Sequence, residues 1–518
     1  MESLYSVVQT EELKSIYFLY QDTVLIDSGE IHTSNYDSEA INAIKPLVSD
    51  NPELLPDLNG QHPRVIKVSQ DVIDSQISQL SNSDYLKVDK QKLTTTGKNA
   101  RLMLQEAVNR GSSDIHLEVY KAKTEINVRV DGRMIELQKA VPEKEYGDLL
   151  VGYIFNEATV KETDFYLNKP NNGKLEIELQ TEEGIRECNW RLSWIPAKDN
   201  GGQLTMRWLN KDQHIPDISE LGWEPGHVQA LVDFSNSASG CALIAGQVGS
   251  GKSTSMAAII ESMKGTGRSI NTLEDPVEFD IGIIQTTVKN TEDDEDAFFE
   301  FSKLLLRHDV DIEGHGEVRE AKGAKSVCRK SETGQIMLST LHTSSAVGIA
   351  HTLIEQMDVP ISLVTAPNLM KLWIYQTLVR QLCPHCCLTK ADALEGMTDR
   401  EQELLNTWYT SQESKGVNLN NVRFKNPQGC EKCTEGEKGR TLLVEMLVLD
   451  DEDRRYILKQ DYLGWIEALR KKGFKDIQSH ANLKIRRGLI DLFTTSNRVD
   501  GLIEVSTSKV YDSFHSDE

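Results

Sequence analysis

The nine residues Gly246-Gln247-Val248-Gly249-Ser250-Gly251-Lys252-Ser253-Thr254 constrain this chain more than any other segment. They follow the short apolar run Cys241-Ala242-Leu243-Ile244-Ala245 and lead into a helix-forming stretch. The spacing fits GxxxxGK[ST] in the strand-loop-helix setting that motif requires. Glycines let backbone N–H groups converge on phosphate oxygens, and the helix start adds its dipole. Lys252 can reach β- and γ-phosphates, and the Ser253 hydroxyl can hold Mg2+. Strand-like segments alternate with helical ones after Gly222: ALIAG, SINTLE, DVDIEGHGE and QIMLSTLH. Such alternation predicts a parallel sheet, hence an α/β core.

A chain of 518 residues exceeds one hydrophobic core, so several domains are expected. Residues 1–95 form an N-terminal region with no legible chemistry. A helix starting near Lys98 and ending at Gly111, then alternating segments such as DIHLEVY, TEINVRV, KLEIELQ, ECNWRLSW and GQLTMRWL, predict a small α+β domain over 96–212. The phosphate-loop core is expected over 213–375, a cysteine module over 376–448 and a helical region over 449–518. No apolar run approaches a bilayer span, and the first twenty residues lack a basic segment followed by an apolar block. A cytoplasmic protein is the expectation. The formal charge of -23 disfavours broad phosphate-backbone contact, so no direct nucleic-acid partner is expected.

Four of the eight cysteines form two CxxC pairs, Cys383-Cys386 and Cys430-Cys433. In a cytoplasmic setting such pairs suggest metal before disulfide, and four thiolates suit tetrahedral Zn2+. His385 and Cys387 are read as bystanders.

Further blocks resemble, in order and spacing, the secretion ATPase superfamily of type II secretion and type IV pilus assembly, across about residues 98 to 450. Ser113-Asp114-Ile115-His116-Leu117-Glu118 with Arg129-Val130-Asp131-Gly132 is similar to the family's SDIHIE and RxDG segments. Thr272 to Glu278 resembles its Asp box. Leu306 to Asp311 with Gly316-Glu317-Val318-Arg319 resembles LRxDPD and GEIRD. Thr333-Gly334-Gln335 with Ser339 to Thr343 resembles its His box. The resemblance implies a RecA-like core, ATP as ligand and a preceding domain that is PAS-like. It implies Glu278 as activator of the attacking water, Glu317 in the Mg2+ shell, and His342 as γ-phosphate sensor. Arg191 and Arg207 would be arginine fingers for a neighbouring subunit, which implies a homohexamer. Taken alone, strand-surface arginines more often form ordinary ion pairs. The modules LVRQLCPHC and GCEKC resemble the family's tetracysteine zinc site.

Three departures stand out. Ile312-Glu313-Gly314-His315 replaces four apolar residues, although a buried parallel strand should be nearly continuous hydrophobic. Either that strand end is exposed or the two polar residues find partners. Gln335 stands where the His box has its first His, and Gln203 where Glu is usual. The implied function is a cytoplasmic motor for type IV pilus assembly, of a type IVb or conjugative thin-pilus system. It would lie peripheral to the inner membrane and push on a membrane platform protein. A type II secretion motor, or a low-turnover ATP-binding assembly or regulatory protein, is the alternative.

Overall fold

The computed structural model describes residues 6–512 and 514 apart from 11–12, 14–15, 18–19, 21, 52–53, 56–62, 71, 74–75, 78–89, 162, 182–183, 212–214 and 289–296. Its strands gather in three sheets. The first is small. β1 (Thr23–Ile26) and β2 (Glu30–Thr33) are antiparallel, β3 (Arg64–Lys67) lies parallel to β2, and a helix, Glu39–Asp50, intervenes. Ser38 starts that helix, its Oγ accepting the Ala40 N–H at 3.2 Å. Residues 78–89 of the N-terminal region lie outside the described residues.

The second sheet comprises β4 (Asp114–Val119), β5 (Thr124–Val130), β6 (Arg133–Val141), β7 (Val160–Lys161), β8 (Asn171–Thr181), β9 (Gly184–Pro196) and β10 (Gly202–Trp208). They are ordered 6-5-4-10-9-8-7 and every pair is antiparallel. Side chains alternate in and out, as period-2 patterning demands. In β10 Leu204, Met206 and Trp208 are buried while Gln203 and Arg207 are exposed. The inward face shares a core with helices Lys90–Asn109 and Lys144–Glu157, built around Trp190, Trp194 and Phe155. The first helix begins earlier than Lys98, and its end at Gly111 has φ +61, the left-handed cap a glycine supplies. β6 escaped the sequence reading because it is an edge strand with only Leu137 buried.

The third sheet holds β11 (Gly240–Ala245), β12 (Ile270–Glu274), β13 (Ile284–Thr287), β14 (Ile312–His315), β15 (Ile336–Leu341), β16 (Met370–Leu382) and β17 (Glu437–Val448), ordered 13-12-14-15-11-16-17. All pairs are parallel except β16 with β17. The α/β core is therefore as expected. β11 and β15 are buried at every residue. The boundary expected at 375/376 falls inside β16. That strand pairs with β11 on one side and β17 on the other, so 376–382 and 437–448 extend the core sheet. The cysteine module is the insertion between them. Helices Asp451–Lys459, Tyr462–Lys472 and Ile477–Arg486 close one face, where Trp465 meets Trp373 edge-on at 6.2 Å. Among the described residues no helix is long and apolar enough to cross a membrane.

Candidate functional site

Parallel packing puts the ends of β11, β12, β14 and β15 at one edge of the sheet, where α/β proteins bind ligands. The phosphate loop leaves β11 there and enters the helix Lys252–Met263. Gly249 and Gly251 take φ of +75 and +82, open to glycine without strain. At Gly246 a Cβ would sit 2.5 Å from the Gln376 carbonyl, so only glycine fits. Gln247, Val248 and Gly249 are exposed at the loop tip, Ser250 is buried, and Ser253 and Thr254 are half-buried at the helix start. The Lys252 ammonium is 9% exposed and donates to the carbonyls of Gly246 at 2.9 Å and Gln247 at 3.2 Å. Burial lowers its pKa, against the pull of Glu317 and Glu278. Both carboxylates thus act on the lysine that the motif places at the phosphates.

Glu278 follows β12 and is exposed. Upstream, Glu274 is buried and its pKa is raised by that burial, although Thr272 and Gln285 donate to it, at 2.5 and 2.9 Å. Glu317 follows β14 and is gripped from two sides: His342 Nε2 lies 2.9 Å from one oxygen and Arg319 Nε donates to the other at 2.8 Å. His342 leaves the end of β15, so two segments far apart in sequence meet across adjacent strands.

β14 resolves the apparent conflict in its sequence. Glu313 and His315 are 0% and 1% exposed, so the strand is buried, and both are partnered. Glu313 pairs with Lys330 from the helix Ala321–Glu332, itself 3% exposed. Ser302 donates to Glu313 Oε1 at 2.9 Å, and His315 Nδ1 lies 3.3 Å away. These contacts hold the Glu313 carboxyl below its ordinary pKa despite the desolvation that opposes them. Lys330 is lowered in turn by burial. Gln335 sits at the start of β15, the opposite end from the phosphate loop. Six residues at about 3.3 Å each separate it from that edge. Its Nε2 donates to the Val310 carbonyl at 2.6 Å.

The arginines lie on the other large sheet. Register places Arg129, Asp114, Arg207, Arg191 and Lys174 side by side across β5, β4, β10, β9 and β8. Arg207 donates to Asp114 at 2.8 Å, while Arg191 has no ion pair among the described residues. Arg191 and Arg207 are directly opposite each other and exposed. Like charges so placed cost stability unless an anion comes between them. Gln203, the departure from Glu, bonds His116 Nδ1 at 3.0 Å.

The four cysteine sulfurs of Cys383, Cys386, Cys430 and Cys433 all lie within 4.8 Å of one another. Cys383–Cys430, Cys386–Cys433 and Cys430–Cys433 are 3.8, 3.6 and 3.6 Å apart. Zn–S bonds of about 2.3 Å in a tetrahedron space the sulfurs about 3.8 Å apart, so this donor set fits the ion. Neither His385 nor Cys387 belongs to the cluster.

Residues 89–500 match the model of the "Type II/IV secretion system protein" family, which is most of the chain. The chain belongs to that family. It is 31% identical to the type II secretion system ATPase E of Vibrio cholerae over 392 residues, covering 75% of this chain and 72% of that one. It is also 31% identical to the type IV pilus assembly ATPase PilB of Thermus thermophilus over 405 residues, 76% of this chain and 42% of that one. Its fold resembles that of the ATPase DotB of Legionella pneumophila, with a TM-score of 0.55 at 20% identity over 77% of this chain and 94% of that one.

In this member of the family the phosphate loop, Glu278, Glu317 and His342 share one edge, while Arg191 and Arg207 stand on a separate sheet of the same chain. Sequence reasoning missed two participants. Gln376 of β16 is fully buried and donates to the Ser250 carbonyl at 2.8 Å, bracing the loop from 126 residues away. Arg319 belongs to a quoted motif, but its hold on Glu317 appears only in three dimensions.

Proposed function

We propose that the chain is an ATP hydrolase of the secretion and pilus motor class, and that it powers type IV pilus assembly. One observation carries the reading: the edge of the parallel sheet gathers a buried lysine and two carboxylates around the phosphate loop. Loop N–H groups and Lys252 bind the β- and γ-phosphates, giving up the Gly246 and Gln247 carbonyls. Ser253 and Glu317 would hold Mg2+, which would screen phosphate charge. Exposed Glu278 takes a proton from the attacking water. His342, bonded to Glu317, registers the γ-phosphate. Arg191 and Arg207 serve the site of a neighbouring subunit in a homohexamer, and the four cysteines hold Zn2+ as a closed structural site. The ring acts at the cytoplasmic side of the inner membrane, against a platform protein.

A second reading, a type II secretion motor, is supported by equal similarity: the chain is 31% identical both to the Vibrio cholerae secretion relative and to the Thermus thermophilus pilus relative. Phosphate release by purified protein tests the enzyme, and Lys252→Ala should silence it. Unchanged release in that variant would refute the site. Expressing Lys252→Ala in the source strain then separates cargoes: loss of surface filaments supports pilus assembly, and loss of an exported protein with filaments intact supports secretion.

A further inference from the structure

The Arg129-Val130-Asp131-Gly132 motif has no place in the chemistry above. Asp131 and Gly132 form the turn between β5 and β6, with φ of +47 and +78. That turn does not point into the arginine sheet's own core. It reaches the start of β17, where the chain leaves the cysteine module. The Asp131 carboxylate accepts the Gly439 N–H at 2.7 Å. Arg133, the first residue of β6, donates to Glu437 Oε2 at 2.7 Å and also pairs with Glu435.

Glu437 is the centre of this contact. Its carboxylate is 1% exposed and receives Arg380 at 2.7 Å as well, with Lys425 at 3.9 Å. The same residue is tied to the cysteines. Glu437 and Thr434 exchange backbone hydrogen bonds, both 3.1 Å, directly after Cys433. The Cys383 N–H donates to the neighbouring Gly436 carbonyl at 2.9 Å. Arg380 lies three residues before Cys383 on β16. One buried carboxylate therefore joins both cysteine pairs to the hairpin of the arginine-bearing sheet.

We propose that the β5–β6 turn is a docking element for the metal module, and that metal occupancy fixes the position of the sheet carrying Arg191 and Arg207. The proposal rests on reading the four cysteines as a metal site. When the sulfurs are gathered, the segment 434–439 is held in the shape that presents Glu435, Glu437 and the Gly439 N–H. When they are released, that surface is lost and the turn is set free. Coupling of this kind is reciprocal, so freeing the turn must also loosen the metal.

The test uses full-length zinc-loaded protein and two readouts: hydrogen exchange at residues 130–139, and the rate of zinc transfer to a colorimetric chelator. Arg133→Glu and Glu435→Lys should each speed exchange of the hairpin and raise zinc release about 5-fold or more, the lower end of common coupling strengths. Glu435 is largely exposed, so its variant tests the contact without threatening the fold. Arg133→Glu combined with Glu435→Arg should bring both readouts back toward the parent. Stripping zinc from the parent should speed hairpin exchange as the single variants do. Unchanged zinc release in both single variants, or equal hairpin exchange with and without zinc, overturns the proposal. Protein that holds no zinc after expression with added zinc overturns the metal reading, and the coupling with it.

Discussion

The two seven-stranded sheets carry charge in opposite ways. In the parallel sheet, Glu313, His315 and Lys330 are sealed inside, and the working groups sit on the segments that leave the strands. In the antiparallel sheet the charges run across the strands in one row from Arg129 to Lys174, with Arg191 and Arg207 exposed, Arg129 and Lys174 half-buried and Asp114 buried. A parallel strand is covered on both faces, so its functional residues must come from its ends. An antiparallel sheet covered on one side can display a row on the other. The parallel sheet thus builds a pocket edge within one chain, whereas Arg191 and Arg207 face outward from the antiparallel one. Disturbing the first should disable binding or folding, and disturbing the second should disable turnover alone.

The largest effect is expected at the pocket edge. Lys252→Ala should leave no phosphate release above background, and nucleotide binding should weaken with it. Glu278→Gln should keep nucleotide bound while turnover falls on the order of 10²-fold or more, since the amide cannot act as a base. Binding titrations alongside phosphate release separate the two variants.

Arg207→Ala sharpens the contrast. A finger acts on transition-state charge, so turnover should fall by about 10³-fold with nucleotide affinity kept. Asp114 is buried but keeps the Ser113 hydroxyl at 2.8 Å and Arg129 at 3.9 Å, so stability should change less than on removing Lys330. Specific activity of the parent should also rise with protein concentration if the arginines work between subunits. Activity that stays flat from dilute to concentrated protein would place the fingers out of use.

Lys330→Met should do the reverse. It strands the Glu313 carboxylate in the core, which costs about 3–5 kcal/mol in comparable buried pairs. Denaturant unfolding measures this. A loss below about 1 kcal/mol would mean that Ser302 and His315 satisfy Glu313 unaided.

The smallest effect concerns Glu445 on β17, pushed up to about 7 by burial, against the N–H groups of Ala346 and Ile477. The folded chain keeps this proton where the unfolded chain has lost it. Its contribution is therefore full below the unfolded value and fades as pH rises through 7, by at most about 1.4 kcal/mol per pH unit. Glu445→Gln should flatten stability between pH 5 and 7. An unchanged slope would assign the proton elsewhere.

Legibility follows the same division. The antiparallel strands could be read because water on one face enforces alternation, and the edge strand β6 could not because almost nothing in it is buried. The phosphate loop was legible because backbone geometry demands glycines at fixed spacing. The sequence leaves open whether Glu313 and His315 are exposed or partnered, because Lys330 and Ser302 come from two helices on either side of β14 in sequence. Gln335 stands where the His box has its first His, and its place at the far end of β15 removes it from the phosphate edge.

By itself the sequence determined the phosphate loop, the α/β core and the four-cysteine set, since each rests on local spacing: glycines for a turn, alternating strands and helices for a sheet, CxxC for a knuckle. Tertiary structure alone decided what pairing and register control. It joined Glu313 to Lys330, set Gln376 beneath the loop, aligned five distant residues into one charged row, and brought the Asp131 turn onto Glu437. Those contacts depend on which elements pack together, and local spacing does not encode a partner on another element, whether 17 residues away, as for Glu313 and Lys330, or 126, as for Gln376 and Ser250.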